Sequence, residues 1–247
     1  MAKKIVKSKN GPEIVAEDPK KKLDFFASAC HQLKEPLSAT KLSLEMLLSG
    51  DFGTISEEQK EIIEKILQRN KILISLVKDF LDVVKFGEKE SSDNLSPFDI
   101  ENVIESVVSM EEEIIQKKKI IFKLEKPKIK LPKIVSDEKK IYLAVQNIIN
   151  NAIKYTPVGG EVKVSFEVDK NNLLIKIQDF GIGIPEDQKK DLFTKFFRGT
   201  NAKEIENSGS GLGLFISKNI IESNKGKISF VSDENKGTTF TVTLPIH

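Results

Sequence analysis

Tryptophan is absent from this sequence, cysteine occurs once (Cys30) and histidine twice (His31 and His247). One thiol closes no internal disulfide, and so few Cys and His side chains assemble no zinc cluster, so a reducing, cytoplasmic setting is the expectation. No apolar run approaches the roughly 18 residues that read as a bilayer span, and the start lacks the apolar centre of a signal peptide, so no membrane segment is expected. Charge of one sign is not in excess either. Lys and Arg number 39 against 37 Asp and Glu, a net charge of +2 that gives no global field to recruit nucleic acid. The seven lysines within residues 1–22 lack interleaved aromatics and read as a solvated basic arm. What is present, 39% apolar and 31% charged residues over 247 positions, is the profile of a globular chain long enough for two domains.

From Leu23 to Leu48 apolar residues recur at helical spacing, with Leu23, Cys30, Leu37 and Leu44 a heptad apart and Phe26, Leu33 and Leu47 on the next row. The stretch Gly50–Ser56 breaks the pattern. Ser56 followed by Gln59 is a capping-box arrangement that opens a second helix, with Ile62, Ile66, Leu73, Val77, Phe80 and Val84 along one face. Gly87 and the polar run to Ser96 end it. Residues 23–87 therefore read as an antiparallel hairpin and 88–96 as a linker. Two amphipathic helices enclose no core alone, so a homodimer that builds a four-helix bundle is expected.

From Pro97 to His247 the character changes. Helix signals fall near Asp99–Lys117, Glu138–Tyr155 and Gly211–Ser223, and strand signals at Ile120–Leu124, Glu161–Val168, Leu173–Gln178, Lys227–Val231 and Thr238–Leu244. The fold class is α+β, with helices on one face of a mixed sheet.

Four segments of this region carry residues suited to a nucleotide. Asn147 and Asn151 stand one helical turn apart, where amide oxygens can help hold a Mg²⁺, and Lys154 adds a cation beside Tyr155. Asp179-Phe-Gly181-Ile-Gly183 follows a strand, so the glycines allow close backbone approach and the carboxylate suits the exocyclic amine of adenine. Phe193-Thr-Lys-Phe-Phe-Arg198 ends in a candidate phosphate contact. Gly209-Ser-Gly211-Leu212-Gly213 opens a helix whose free N–H groups can receive phosphate oxygens, and Thr200–Ser208 before it reads as a mobile lid. Each has a plainer counterpart: a solvated Asn-rich helix, a chain-reversing turn, phenylalanine packing with a surface arginine, and a glycine string that elsewhere belongs to dinucleotide folds. The last lacks the preceding strand and βαβ spacing of such a fold.

In this order, with Gly237-Thr-Thr239-Phe240 closing the sheet, the segments resemble the N, G1, F, G2 and G3 boxes of the ATP-binding superfamily shared by histidine kinases, Hsp90-type chaperones and MutL-type repair proteins. The resemblance covers residues 97–247. It implies a Bergerat-type fold that binds ATP and Mg²⁺, with Asn151 and Asn147 at the metal, Lys154, Tyr155 and Arg198 near phosphate, Asp179 at adenine, and Gly181, Gly183, Gly209, Gly211, Leu212, Gly213 and Thr239 around the nucleotide.

The choice within that superfamily comes from the hairpin. The run Cys30-His31-Gln32-Leu33-Lys34-Glu35-Pro36-Leu37 is similar to the H box of histidine kinases, in which the His accepts the γ-phosphoryl group of ATP and passes it to an aspartate on a response regulator receiver domain. Pro36 cannot donate to the Gln32 carbonyl and so loosens the helix beside His31. Two positions depart from the family. Gln32 stands where an acid orients the imidazole and takes up its proton, and Glu35 stands where a Thr or Asn serves dephosphorylation. Glu35 lies four residues beyond His31, at the spacing that lets its carboxylate replace the missing acid. The altered box also fits a dimeric ATP-binding scaffold that transfers no phosphate, and covalent label on His31 separates the two readings. A repair- or chaperone-type clamp leaves the hairpin unexplained.

Overall fold

The computed structural model describes residues 19–86, 95–127, 130–205 and 209–246, and for residues 19–26, 79 and 82–86 the backbone only. Most of the basic arm and of the 88–96 linker, Gly87, the end of the Thr200–Ser208 stretch and the side chains of Leu23, Phe26 and Val84 lie outside the described residues.

Helix α1 spans Pro19–Ser49 and α2 spans Glu57–Phe86. Among the described residues the first reaches back to Pro19, four residues before the Leu23 start expected from periodicity, through Lys20 to Lys22, which are good helix formers. The Ser56 capping box is formed: Gln59 N donates to Ser56 Oγ at 3.2 Å and Ser56 N donates to Gln59 Oε1 at 2.9 Å. The helices pack against each other as a hairpin that buries Cys30, Leu67, Asn70 and Leu81. The predicted apolar face of α2 is covered only in part, with Val77 half-buried. Ile62, Ile66, Leu73 and Phe80 remain between 41% and 53% exposed, and Leu33 of α1 is 54% exposed. A single chain thus leaves Leu33, Ile62, Ile66 and Leu73 about half exposed.

The second region is a five-stranded mixed sheet in the order β2-β4-β5-β7-β6, made of β2 (Ile121–Glu125), β4 (Glu161–Asp169), β5 (Asn172–Asp179), β6 (Lys227–Asp233) and β7 (Gly237–Pro245). Only the β2–β4 pair is parallel. Alternate residues of the strands, Val162, Val164, Leu173, Ile175, Ile177, Phe240, Val242 and Leu244, are buried in one core with the apolar faces of α3 (Ile100–Met110), α5 (Glu138–Tyr155) and α7 (Gly213–Ser223). Helix α5 lies where its period places it, and Asp137 caps it by accepting from the N–H groups of Lys139 and Lys140.

Three expectations are corrected. The helix read over Asp99–Lys117 is two, α3 and then α4 (Glu112–Lys117), because Glu111 turns out of helical geometry at φ −100° and ψ 4°. Ser96–Phe98 (β1) and Ile134–Ser136 (β3) pair antiparallel as a separate two-stranded ribbon, which three-residue runs do not announce by periodicity. The first part of the stretch read as a mobile lid is helix α6 (Thr200–Ile205), pinned where Gln188 and Thr200 exchange two hydrogen bonds of 2.9 Å.

Candidate functional site

The carboxyl end of β5, the last two turns of α5, the α6 segment and the start of α7 enclose a cavity of about 320 Å³. Of the residues singled out from the sequence, Asn147, Asn151, Lys154, Tyr155, Asp179, Gly183, Arg198, Gly209, Gly211 and Gly213 line it. Four segments far apart in the chain therefore share one wall.

Asp179 is the most constrained of them. It is buried, and its Oδ1 accepts from the N–H of Gly181 at 3.0 Å and of Thr238 at 3.2 Å. Burial raises its pKa from the ordinary 3.8 to about 6, against the opposing pull of those two N–H donors. The loop after it is laced to the β6–β7 hairpin: Asn235 N donates to the Ile182 carbonyl at 2.7 Å, and Ile184 N donates to Ser232 Oγ at 2.9 Å. Asn201 of α6 donates to the Gly183 carbonyl at 3.0 Å, tying the roof of the cavity to its floor.

At the other end, cations converge on Gly209. Arg198 Nη1 donates to the Gly209 carbonyl at 3.3 Å, and a Cβ added at Gly209 would lie 3.6 Å from Lys154 Nζ. Lys154 also stands over the Tyr155 ring, 5.6 Å from its centroid. Asn147 Nδ2 donates to the Gly213 carbonyl at 3.3 Å, which orients the amide and leaves its oxygen as the atom to offer a cation. No group of three or more His, Cys, Asp or Glu side chains with metal-binding spacing occurs among the described residues. Neutral amide oxygens suit a Mg²⁺ that takes its other ligands from phosphate and water.

Three of the nominated residues stand elsewhere. Thr239 does not line the cavity, whereas Thr238 does, because alternate residues of β7 point to opposite faces. Leu212 is a core residue, 3% exposed. Gly181 serves packing: a Cβ there would lie 2.4 Å from the Tyr155 carbonyl, so its lack of a side chain lets the loop close on the end of α5. Asn150, Ser210, Asn201 and the apolar pair Ile182 and Ile184 were missed and also line the cavity. Asn150 carried a signal, since it sits between two nominated positions on α5.

His31, Gln32 and Glu35 are exposed on α1 and do not line the cavity, while Ser75 of α2 does. No helix among the described residues is long and apolar enough to cross a membrane.

Comparison with known proteins agrees with this arrangement. Residues 21–89 match the family model of the His Kinase A (phospho-acceptor) domain, and residues 136–247 match that of the histidine kinase-, DNA gyrase B-, and HSP90-like ATPase. The sensor-like histidine kinase SenX3 of Mycobacterium tuberculosis is 31% identical over 223 residues, which are 90% of this chain and 53% of SenX3. The chain thus spans about half the length of that curated relative. The catalytic domain of the histidine kinase ThkA is 30% identical and superposes with a TM-score of 0.54 over 62% of this chain and 95% of its own. The Acinetobacter baumannii histidine kinase AdeS, 25% identical, matches 88% of this chain and 98% of its own with a TM-score of 0.58. The cavity lies in the region that matches the ATPase model and the helical hairpin in the region that matches the phosphoacceptor model: the chain belongs to the two-component histidine kinases.

Proposed function

We propose that this chain, as a homodimer, transfers the γ-phosphoryl group of ATP to His31 and then to an aspartate on a response regulator receiver domain. The observation that carries the reading is an exposed His31 on the first helix of the region that matches the phosphoacceptor domain, in a chain whose other domain holds the Asp179 cavity. The exposed apolar side chains of Ile62, Ile66 and Leu73 support the dimer, since a second copy would complete a four-helix bundle.

In this reading the Asp179 carboxylate accepts from the adenine amine, and Lys154, Arg198 and the first N–H groups of α7 receive the phosphates. Asn147 and Asn151 would hold Mg²⁺, which supplies charge neutralisation to the phosphates when bound. A ring nitrogen of His31 donates its lone pair to the γ-phosphorus, the bond to the bridging oxygen breaks, and that electron pair leaves with ADP. Glu35, exposed one turn beyond His31, takes the proton that Gln32 cannot.

Incubation with γ-labelled ATP and Mg²⁺ tests this. The expected result is acid-labile, base-stable label that is lost in His31→Ala and accumulates more slowly in Glu35→Gln. ATP binding without label in the unaltered protein would sink the kinase reading in favour of the scaffold.

The raised pKa of Asp179 gives a second expectation. The ionised carboxylate is the stronger acceptor for the adenine amine, so adenosine affinity should rise as pH goes from about 5 to about 7.5, with a midpoint at about 6. Stability of the unliganded domain runs the other way. The folded state keeps the proton where the unfolded chain has released it, so this contribution is full below 3.8 and is lost as pH rises through about 6. Titration calorimetry with adenosine, which has no phosphate to titrate, reads the first trend, and thermal unfolding reads the second. A flat adenosine profile would remove Asp179 from adenine recognition.

A further inference from the structure

The end of an α-helix leaves four carbonyl oxygens without partners inside it, and in α5 these belong to Ala152, Ile153, Lys154 and Tyr155. The first accepts from Thr156, through N at 3.1 Å and Oγ1 at 2.7 Å, and the last accepts from Ile182 N at 3.3 Å. The two between them are taken by one side chain from outside the helix. Lys118 Nζ donates to the Ile153 and Lys154 carbonyls, both at 2.8 Å.

Lys118 is itself held in place. It is half-buried at the end of α4, and its own carbonyl accepts from Gly159 N at 2.9 Å, in the loop that follows α5. Its ammonium therefore meets the negative end of the α5 dipole with two charge-assisted bonds in a half-desolvated position, where such bonds are stronger than on the surface. The turn it grips carries Asn151, Lys154 and Tyr155 to the cavity.

We infer that Lys118 is a positioning residue for the nucleotide: it fixes the last turn of α5 and through it the phosphate-side contacts Lys154 and Tyr155. This rests on the reading of the cavity as a nucleotide site, but not on the kinase reaction. The adenine end has its own supports, the Gly181 and Thr238 N–H groups on Asp179, so losing the ammonium acts on the phosphate end. Apolar replacement leaves two carbonyls to find water and frees the turn.

Displacement of a fluorescent ATP analogue from the full chain, by ATP and separately by adenosine, tests the inference alongside thermal unfolding. Lys118→Met is expected to weaken ATP about tenfold and adenosine less than about twofold, with Lys118→Arg restoring most of the ATP affinity. Lys118→Gln keeps one donor group for the carbonyls and should fall between them, which secures the test if the Met variant does not fold. Equal losses for ATP and adenosine, or a lower Tm with unchanged ATP affinity, would overturn the inference and leave Lys118 a purely structural cap. If the unaltered protein bound neither ligand, the nucleotide reading of the cavity would fall and take this inference with it.

Discussion

Asp179→Asn is expected to lower nucleotide affinity by about a hundredfold or more while leaving the unliganded domain as stable as before, or slightly more so at neutral pH. The reason lies in how the carboxylate is divided. Oδ1 is committed to the N–H groups of Gly181 and Thr238. Oδ2 is the atom left to meet a ligand amine. An asparagine in the same rotamer keeps an oxygen for the two backbone donors and puts an NH₂ in the place of Oδ2. That group is a donor facing a donor, so the bond is not merely lost but replaced by repulsion between two N–H groups. The buried charge disappears at the same time, and with it the desolvation cost that raises the pKa to about 6. Equilibrium binding of ATP and of adenosine with a matched melting curve gives the answer. Undiminished affinity in the variant would mean that the adenine lies elsewhere in the cavity.

Most of the ATPase domain could be read from the chain because its elements follow simple periods. Helix α5 has Asp137 to start it and a 3.6-residue repeat through Ile141, Ala144, Val145, Ile148 and Ile149, and all five are buried. The strands alternate cleanly, and the glycine and asparagine positions of the site, each ambiguous alone, stand out by their order along the chain. What escaped notice depends on pairing. Thr238 rather than Thr239 faces the cavity because Thr238 is the register partner of Asp179, a fact fixed by how β5 and β7 align. Lys118 sits in the run Lys117-Lys118-Lys119, and nothing in three successive lysines marks the middle one as the cap of a helix 35 residues on. The bundle misleads for a related reason. Each helix carries more apolar positions than one neighbour covers, and sequence alone does not say which meet the other helix of the same chain and which stay exposed. The buried positions of α2 turn out to include Leu67, Asn70 and Leu81.

Gly183→Ala should have the largest effect on folding of any single methyl addition at the site. The residue is at φ +63°, where a side chain is strained, and an added Cβ would lie 2.0 Å from the Asp233 carbonyl oxygen and 2.7 Å from its carbon. Both are backbone atoms of a paired strand end and have no rotamer to escape into. Conformational strain of about 1 kcal/mol and overpacking of about 1–3 kcal/mol add to a loss of roughly 2–4 kcal/mol, or on the order of 10 °C in Tm for a domain this size. Relief requires the loop to move off the β6–β7 hairpin, which breaks the Ile184–Ser232 bond and shifts the carbonyl that Asn201 holds. Nucleotide affinity should therefore fall with stability. Gly159→Ala is the matched control, because Gly159 has φ +77° but nothing within 4 Å of the added Cβ. It bears the strain without the collision, so its loss should stay near 1 kcal/mol with nucleotide binding intact. If the two variants melted together, backbone conformation alone would account for Gly183 and the contact with Asp233 would carry no weight.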